Sequence, residues 1–260
     1  MIKIHTLGGY IHEYQKSIQN PRAFWSQIAD TFHWQKRWDN VVDWEFDSPD
    51  VKWFVNGKLN ITENIFERHL YTKGDEPAII WEPNDPKETH ITLTLRQLFE
   101  KVCQFANVLK ENGIEKGDRV IIYMPMVPEA AVAMLACARI GAVHSVVFAG
   151  FSANALADRI EDCQAKMVLT SDGNFRGAKS IPVKAVVDEA VDKTTSIEKV
   201  IVLERTKTEV SMVDGRDLWW HDACEGVSTE NTAEEMDSED LLFILYTSGM
   251  DNALWLSCRT

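Results

Sequence analysis

Residues 117–152, GDRVIIYMPMVPEAAVAMLACARIGAVHSVVFAGFS, constrain the fold of this chain more than any other stretch. The unbroken apolar run at 120–124 predicts a strand buried on both faces. Pro125 and Pro128 end it, and Pro128 suits the first turn of a helix. Residues 129–140 carry Ala, Val, Met and Leu with few charges, so that helix is expected to be buried, and Gly141 to close it. Residues 143–148 predict a second strand, with Ala149-Gly150 turning tightly after it. A strand, a crossover helix and a strand make a parallel βαβ unit, and ligands of open α/β sheets bind beyond the carboxyl ends of the strands. Chemistry is therefore expected at Phe148-Ala149-Gly150 and its neighbours along that rim.

The surrounding sequence repeats the alternation. Residues 78–81 and 90–94 predict a hairpin, and Thr94 with Gln97 a capping box for a helix that Gly113 closes. Ser152 is expected to cap a helix over 153–162. Strands at 166–170 and 199–203 flank a helix over 180–192, and a last buried strand spans 241–246. The expectation is an α/β fold, a doubly wound, mainly parallel sheet. Residues 206–240 are polar and acidic around Leu218-Trp219-Trp220 and predict a long surface excursion. Residues 1–72 differ. Helices are expected near 10–18, 20–32 and 60–70, with Asn20-Pro21 as N-cap and first turn. Trp25, Trp34, Trp38, Trp44 and Trp53 crowd into this leader, which predicts a Trp-rich helical extension packing on the main body through aromatic anchors. The domain division expected is 1–72, 73–249 and a separate tail at 250–260.

Composition excludes some classes. A net charge of −13 over 260 residues argues against a general nucleic-acid or membrane-surface binder. No run approaches a membrane span, and no leader peptide is visible. Five scattered cysteines lacking C-x-x-C spacing point to reduced core thiols in a cytoplasmic protein. Seven histidines show no ligand spacing, so no metal site is assigned. His144, mid-strand in apolar company, is expected to be a satisfied core histidine.

Residues 241–249, LLFILYTSG, run a strand into Tyr-Thr-Ser-Gly, the opening of a phosphate loop. Here the chain resembles the adenylate-forming (AMP-binding) enzymes. KWFVNGKLNITENIFERHL (52–70), residues 105–152 and SDGNFRGAKSIPVKAVVDEA (171–190) narrow the resemblance to the acetyl-CoA synthetase (acetate–CoA ligase) branch. It runs from about residue 10 to Gly249. Propionyl-CoA synthetases are close relatives. The resemblance implies ATP-dependent joining of acetate to AMP and transfer of the acetyl group to CoA. CoA, ATP and acetate would be the small-molecule partners, with Mg in the whole enzyme but no site for it in this chain.

Candidate site residues follow from both readings. Arg176-Gly177-Ala178-Lys179 would place two cations beside a glycine before a helix starting near Ser180, a site for a phosphate group. On pattern alone a solvated basic loop is the favoured reading. The resemblance implies contact with the phosphorylated adenosine end of CoA, although Ala178 stands where Gly is commoner and Lys179 would lack a guanidinium fork. Phe148, Ala149 and Gly150 match the family's crevice for the CoA adenine, with Ile181 a weaker candidate for its wall. Thr247, Ser248 and Gly249 would begin the ATP phosphate cradle, but residues 250–260 supply neither glycine nor lysine. The expectation is an N-terminal piece of an acetate–CoA ligase that does not complete catalysis alone. A residual CoA- or nucleotide-binding module, or an interaction partner of a full-length synthetase, are alternatives. Strand 241–246 would be an uncovered apolar edge, favouring self-association.

Overall fold

The computed structural model describes residues 4–45, 47–177, 179–246 and 255–259. In chain order the elements are α1 (Leu7–Gln19), α2 (Pro21–Ala29), β1 (Asn40–Glu45), β2 (Ser48–Val55), α3 (Ile61–Ile65), α4 (Glu67–Lys73), β3 (Pro77–Trp81), β4 (Ile91–Thr94) and α5 (Leu95–Glu111). Then come β5 (Arg119–Tyr123), α6 (Pro128–Ile140), β6 (Val143–Val146), α7 (Ala153–Cys163), β7 (Met167–Ser171), β8 (Asn174–Arg176), β9 (Lys179–Ile181) and α8 (Val183–Val191). The last are β10 (Lys199–Leu203), β11 (Asp217–Trp219), α9 (Trp220–Cys224), β12 (Leu241–Tyr246) and β13 (Trp255–Arg259).

The main sheet has the order β11-β10-β7-β5-β6-β12-β13. All neighbours are parallel except β12 and β13. Helices cover both faces, and the central strand shows how. Val120 and Ile122 of β5 join a core with Val102, Phe105 and Leu109 of α5 and Val132 and Ala136 of α6. Ile121 and Tyr123 join the opposite core with Leu156 and Ile160 of α7 and Val187 of α8. Each such buried side chain contributes about 2 kcal/mol, which is why a continuous apolar run suits a strand covered on both sides. The Thr94–Gln97 capping box forms at the start of α5, and Gly141 ends α6 with φ +73°, where a side chain would also strike Met236.

Three expectations change. The leader is not only helical, because β1 and β2 form an antiparallel hairpin. Its tryptophans make a small core of their own: Trp34, Trp38 and Phe54 pack mutually at 4.8–5.3 Å, with Ala29 and Val41. The leader docks through Phe66, buried against Phe99 at 5.4 Å with Ile65 and Leu70 beside it, and through buried polar groups. The Asn60 amide donates to the carbonyls of Ala138, Arg139 and Glu234. Arg139, itself buried, donates to Glu67 and to Thr62 Oγ1, and Ser238 Oγ to the carbonyls of Trp53 and Phe54. Residues 206–240 are therefore no mere excursion. They add β11 to the sheet, stack Trp220 on Phe105 at 3.7 Å and bury Met236. Finally, β12 is not an edge: β6 flanks it on one side and β13, from the expected tail, on the other.

Candidate functional site

The chain passes from β5 to β6 on one side, then crosses to β7 on the other. Beyond the carboxyl ends of β5, β6, β7 and β10 lie the loops where such a reversal opens a crevice. Both cationic and aromatic candidates follow these strands.

After β6, Val147 and Ala149 are buried while Phe148 is 71% exposed. The Gly150 and Phe151 amides both donate to the Phe148 carbonyl, closing a tight turn. The Phe148 ring folds over Gly150, where a Cβ would come within 2.4 Å of Phe148 Cε1. A side chain at residue 150 would displace the Phe148 ring. Tyr123 Oη anchors the turn by donating to the Phe151 carbonyl at 2.7 Å. The Phe151 ring meets Phe148 edge-on and lies beside the Arg159 guanidinium. The result is a flat, exposed aromatic face held on a rigid turn.

After β7 the chain forms the antiparallel β8–β9 hairpin, with Asn174 opposite Ile181, Phe175 opposite Ser180 and Arg176 opposite Lys179. Gly177, at φ +60°, makes the turn possible. Ala178 lies outside the described residues, as do Thr247, Ser248 and Gly249. The two cations are therefore displayed at a hairpin tip and not at a helix N-terminus. The helix begins at Val183 after Pro182, which holds Ile181 extended by sterics. Arg176 and Lys179 are exposed and, among the described residues, form no ion pair. Like charges directly opposite on a hairpin repel, so the tip favours an anion that bridges them.

Sequence reasoning missed the residues that hold this hairpin. Asp172 is fully buried and accepts from the backbone amides of Gly173, Arg205, Thr206 and Thr208 at 2.7–3.1 Å. That carboxylate ties residues 205–208 to the end of β7. Thr208 Oγ1 then bonds Ser180 Oγ on the hairpin at 3.0 Å. Gly173 has no room for a side chain, since its Cβ would lie 2.3 Å from Thr206 Oγ1. The Asp-Gly pair after an apolar strand was the available signal. Arg205 forms two bonds to Glu88 at 2.7 and 2.8 Å and lies over the Trp81 and Phe175 rings. Beside these groups is a cavity of about 420 Å³ lined by Asn84, Asp85, Pro86, Glu88, Phe175 and Gly177. A larger cavity of about 650 Å³, between α5, α6 and α9, is lined by none of the candidate site residues.

His144 departs from its expected state. It is buried between β5 and β12 near the Phe243 ring, and its Nδ1 has no partner. Burial pushes its pKa down to about 4, so the imidazole is neutral and serves as packing. Among the described residues, no cluster of His, Cys, Asp or Glu could hold a metal, and no helix is long and apolar enough to cross a membrane.

Comparison with known proteins adds to this geometry. The family model for AMP-binding enzymes matches residues 66–250, and that for the acetyl-coenzyme A synthetase N-terminus matches residues 10–65. An acetyl-coenzyme A synthetase of Halorhodospira halophila is 51% identical over 242 residues, covering 92% of this chain and 37% of that protein. One from Rubrobacter xylanophilus is 52% identical over 237 residues, covering 91% and 36%. The solved acetoacetyl-CoA synthetase from Streptomyces lividans superimposes with a TM-score of 0.84 at 26% identity, covering 94% of this chain and 37% of that one. The chain thus spans little more than a third of the length of these relatives.

Proposed function

We propose, given that this chain belongs to the AMP-binding enzyme family and carries its acetyl-coenzyme A synthetase N-terminal segment, that it supplies the CoA-facing part of an acetate–CoA ligase. The whole reaction would join acetate to AMP with release of diphosphate, then transfer the acetyl group to CoA. The observation that carries the reading is the opposed pair Arg176 and Lys179 at a fixed hairpin tip, on the same rim as the exposed Phe148 ring. The cations suit a phosphate, and the exposed face of the Phe148 ring suits a stacked adenine. Gly177 leaves the tip backbone uncovered, since nothing lies within 4 Å of where its Cβ would be. Tyr123, Asp172 and Gly173 orient these groups without touching the ligand.

The adenylation step needs several charged groups around one phosphorus atom in a dry site. Residues 250–260 bring no glycine or lysine to follow Thr247-Ser248-Gly249. The 260-residue chain is therefore expected to bind CoA but to release no diphosphate from ATP and acetate. Calorimetry with CoA tests the first part. Arg176→Ala should weaken binding about tenfold, the value of one charge-assisted hydrogen bond. Unchanged affinity would remove the assignment. Sustained diphosphate release by the purified chain would refute the second part.

A further inference from the structure

The side chain of Arg205 joins three parts of the molecule that are far apart in sequence. Its backbone amide is fixed by Asp172 at the end of β7. Its guanidinium is held in a two-bond fork by Glu88, in the turn between β3 and β4. The same guanidinium lies 5.1 Å from the Trp81 ring centroid and 5.0 Å from that of Phe175. Trp81 is anchored in turn, donating from Nε1 to the Met126 carbonyl in the β5–α6 loop at 2.7 Å. Phe175 is the residue immediately before Arg176 on the cationic hairpin. A continuous line of contacts therefore runs from the β5–α6 loop through Trp81 and Arg205 to the base of that hairpin.

Physical considerations give this line a role beyond general stability. A three-residue strand pair exposed at a sheet rim has little packing of its own and is marginal in water. Phe175 and the Ser180–Thr208 bond tie β8–β9 to the body. The Arg205 side chain is 15% exposed and that of Glu88 33%. The pair is thus partly shielded, where a planar fork with two ring contacts keeps its direction better than a flexible ammonium would. Glu88 also neutralises Arg205, whereas Arg176 and Lys179, on the hairpin beside the 420 Å³ cavity, have no ion-pair partner among the described residues.

We infer that Arg205, locked by Glu88, is a positioning residue that fixes the register and direction of Arg176 and Lys179, and so sets how strongly this rim distinguishes a 3′-phosphorylated adenosine from its dephosphorylated counterpart. This inference rests on the CoA reading above. Arg205 touches no ligand atom; it acts through Phe175 and the hairpin.

The test uses the full chain and two probes, CoA and 3′-dephospho-CoA, titrated by calorimetry at fixed ionic strength. The wild-type protein is expected to bind CoA about tenfold more tightly than dephospho-CoA. Arg205→Lys and Glu88→Gln should each shrink that ratio to about two or three, through loss of CoA affinity alone. A merely structural role would change melting temperature or lower both affinities together, leaving the ratio intact. Should Arg205→Lys fail to fold, the near-isosteric Glu88→Gln, on a turn, decides. If both variants keep the wild-type ratio while Arg176→Ala abolishes it, the positioning role is overturned and the CoA site stands. If the wild type itself shows no ratio and Arg176→Ala changes nothing, the site assignment falls and the inference with it.

Discussion

Acidification should expose the cost of burying His144. Its neighbours across the sheet are Val120 on β5 and Phe243 on β12, and no described group accepts or donates at Nδ1. The unfolded chain takes up a proton at this residue near pH 6.5, whereas burial delays uptake in the native state to about pH 4. The unfolded state thus binds more protons throughout that window, so native stability is complete above about pH 6.5 and falls as pH drops toward 4. At 1.36 kcal/mol per pH unit of displaced affinity, the full loss is about 3 kcal/mol, and at pH 5 already about 2 kcal/mol. The assay is urea unfolding followed by tryptophan fluorescence at pH 7 and pH 5, on the wild type and on His144→Leu. The variant isolates this residue from the other titrating groups. Leucine fits the apolar setting and leaves no unpaired nitrogen, so the variant should match or slightly exceed the wild type at pH 7. It should then exceed it by about 2 kcal/mol more at pH 5. A difference between the proteins that is the same at both pH values, within 0.5 kcal/mol, would refute the reasoning.

Two further outcomes follow from buried carboxylates. Asp172→Asn puts a donor against at least one of the amides of Gly173, Arg205, Thr206 and Thr208, and should cost about 3 kcal/mol, or about 10 °C in melting temperature by calorimetry; a change under 1 kcal/mol would show that the loop finds other partners. Asp217 is buried with Lys184, Arg216 and Asp188, and although burial alone pushes its carboxyl up, the hydrogen bonds from Arg216 and Lys184 outweigh this and hold it below the ordinary range. Its contribution to stability is therefore intact above about pH 4 and is lost as pH falls below that, so Asp217→Asn should flatten the acid limb of a pH–stability curve; an unchanged limb would count against the pairing.

Much of the architecture was legible before any coordinates. The run at 120–124 demanded cover on both faces, and α5 and α6 on one side with α7 and α8 on the other supply it. Capping at Thr94, Asn20 and Ser152 and the left-handed stop at Gly141 are local interactions, within reach of neighbours in sequence, and each forms as expected. The strand expected over residues 143–148 stops at Val146, so Phe148 lies two residues beyond its carboxyl end, in the turn, and not as its last residue.

Other features depended on partners distant in the chain. The Trp-rich leader was expected to dock by its tryptophans, yet Trp34 and Trp38 pack on each other and on Phe54, and the docking falls to Phe66 and to Asn60, Arg139 and Ser238. A polar side chain in a sequence gives no sign of which remote carbonyl will satisfy it once both are buried. Arg176 and Lys179 were expected at a helix start, and Pro182 held the residue before it extended instead. The Asp172 knot and the Arg205–Glu88 fork join residues up to 117 positions apart. Sequence alone therefore determined the central alternation of strands and helices and the rim on which the candidate residues lie, since hydrophobic period, caps and turns act over a few residues. Tertiary structure alone decided how that rim is held, because hydrogen bonds and ion pairs form only between groups that folding brings within about 3 Å.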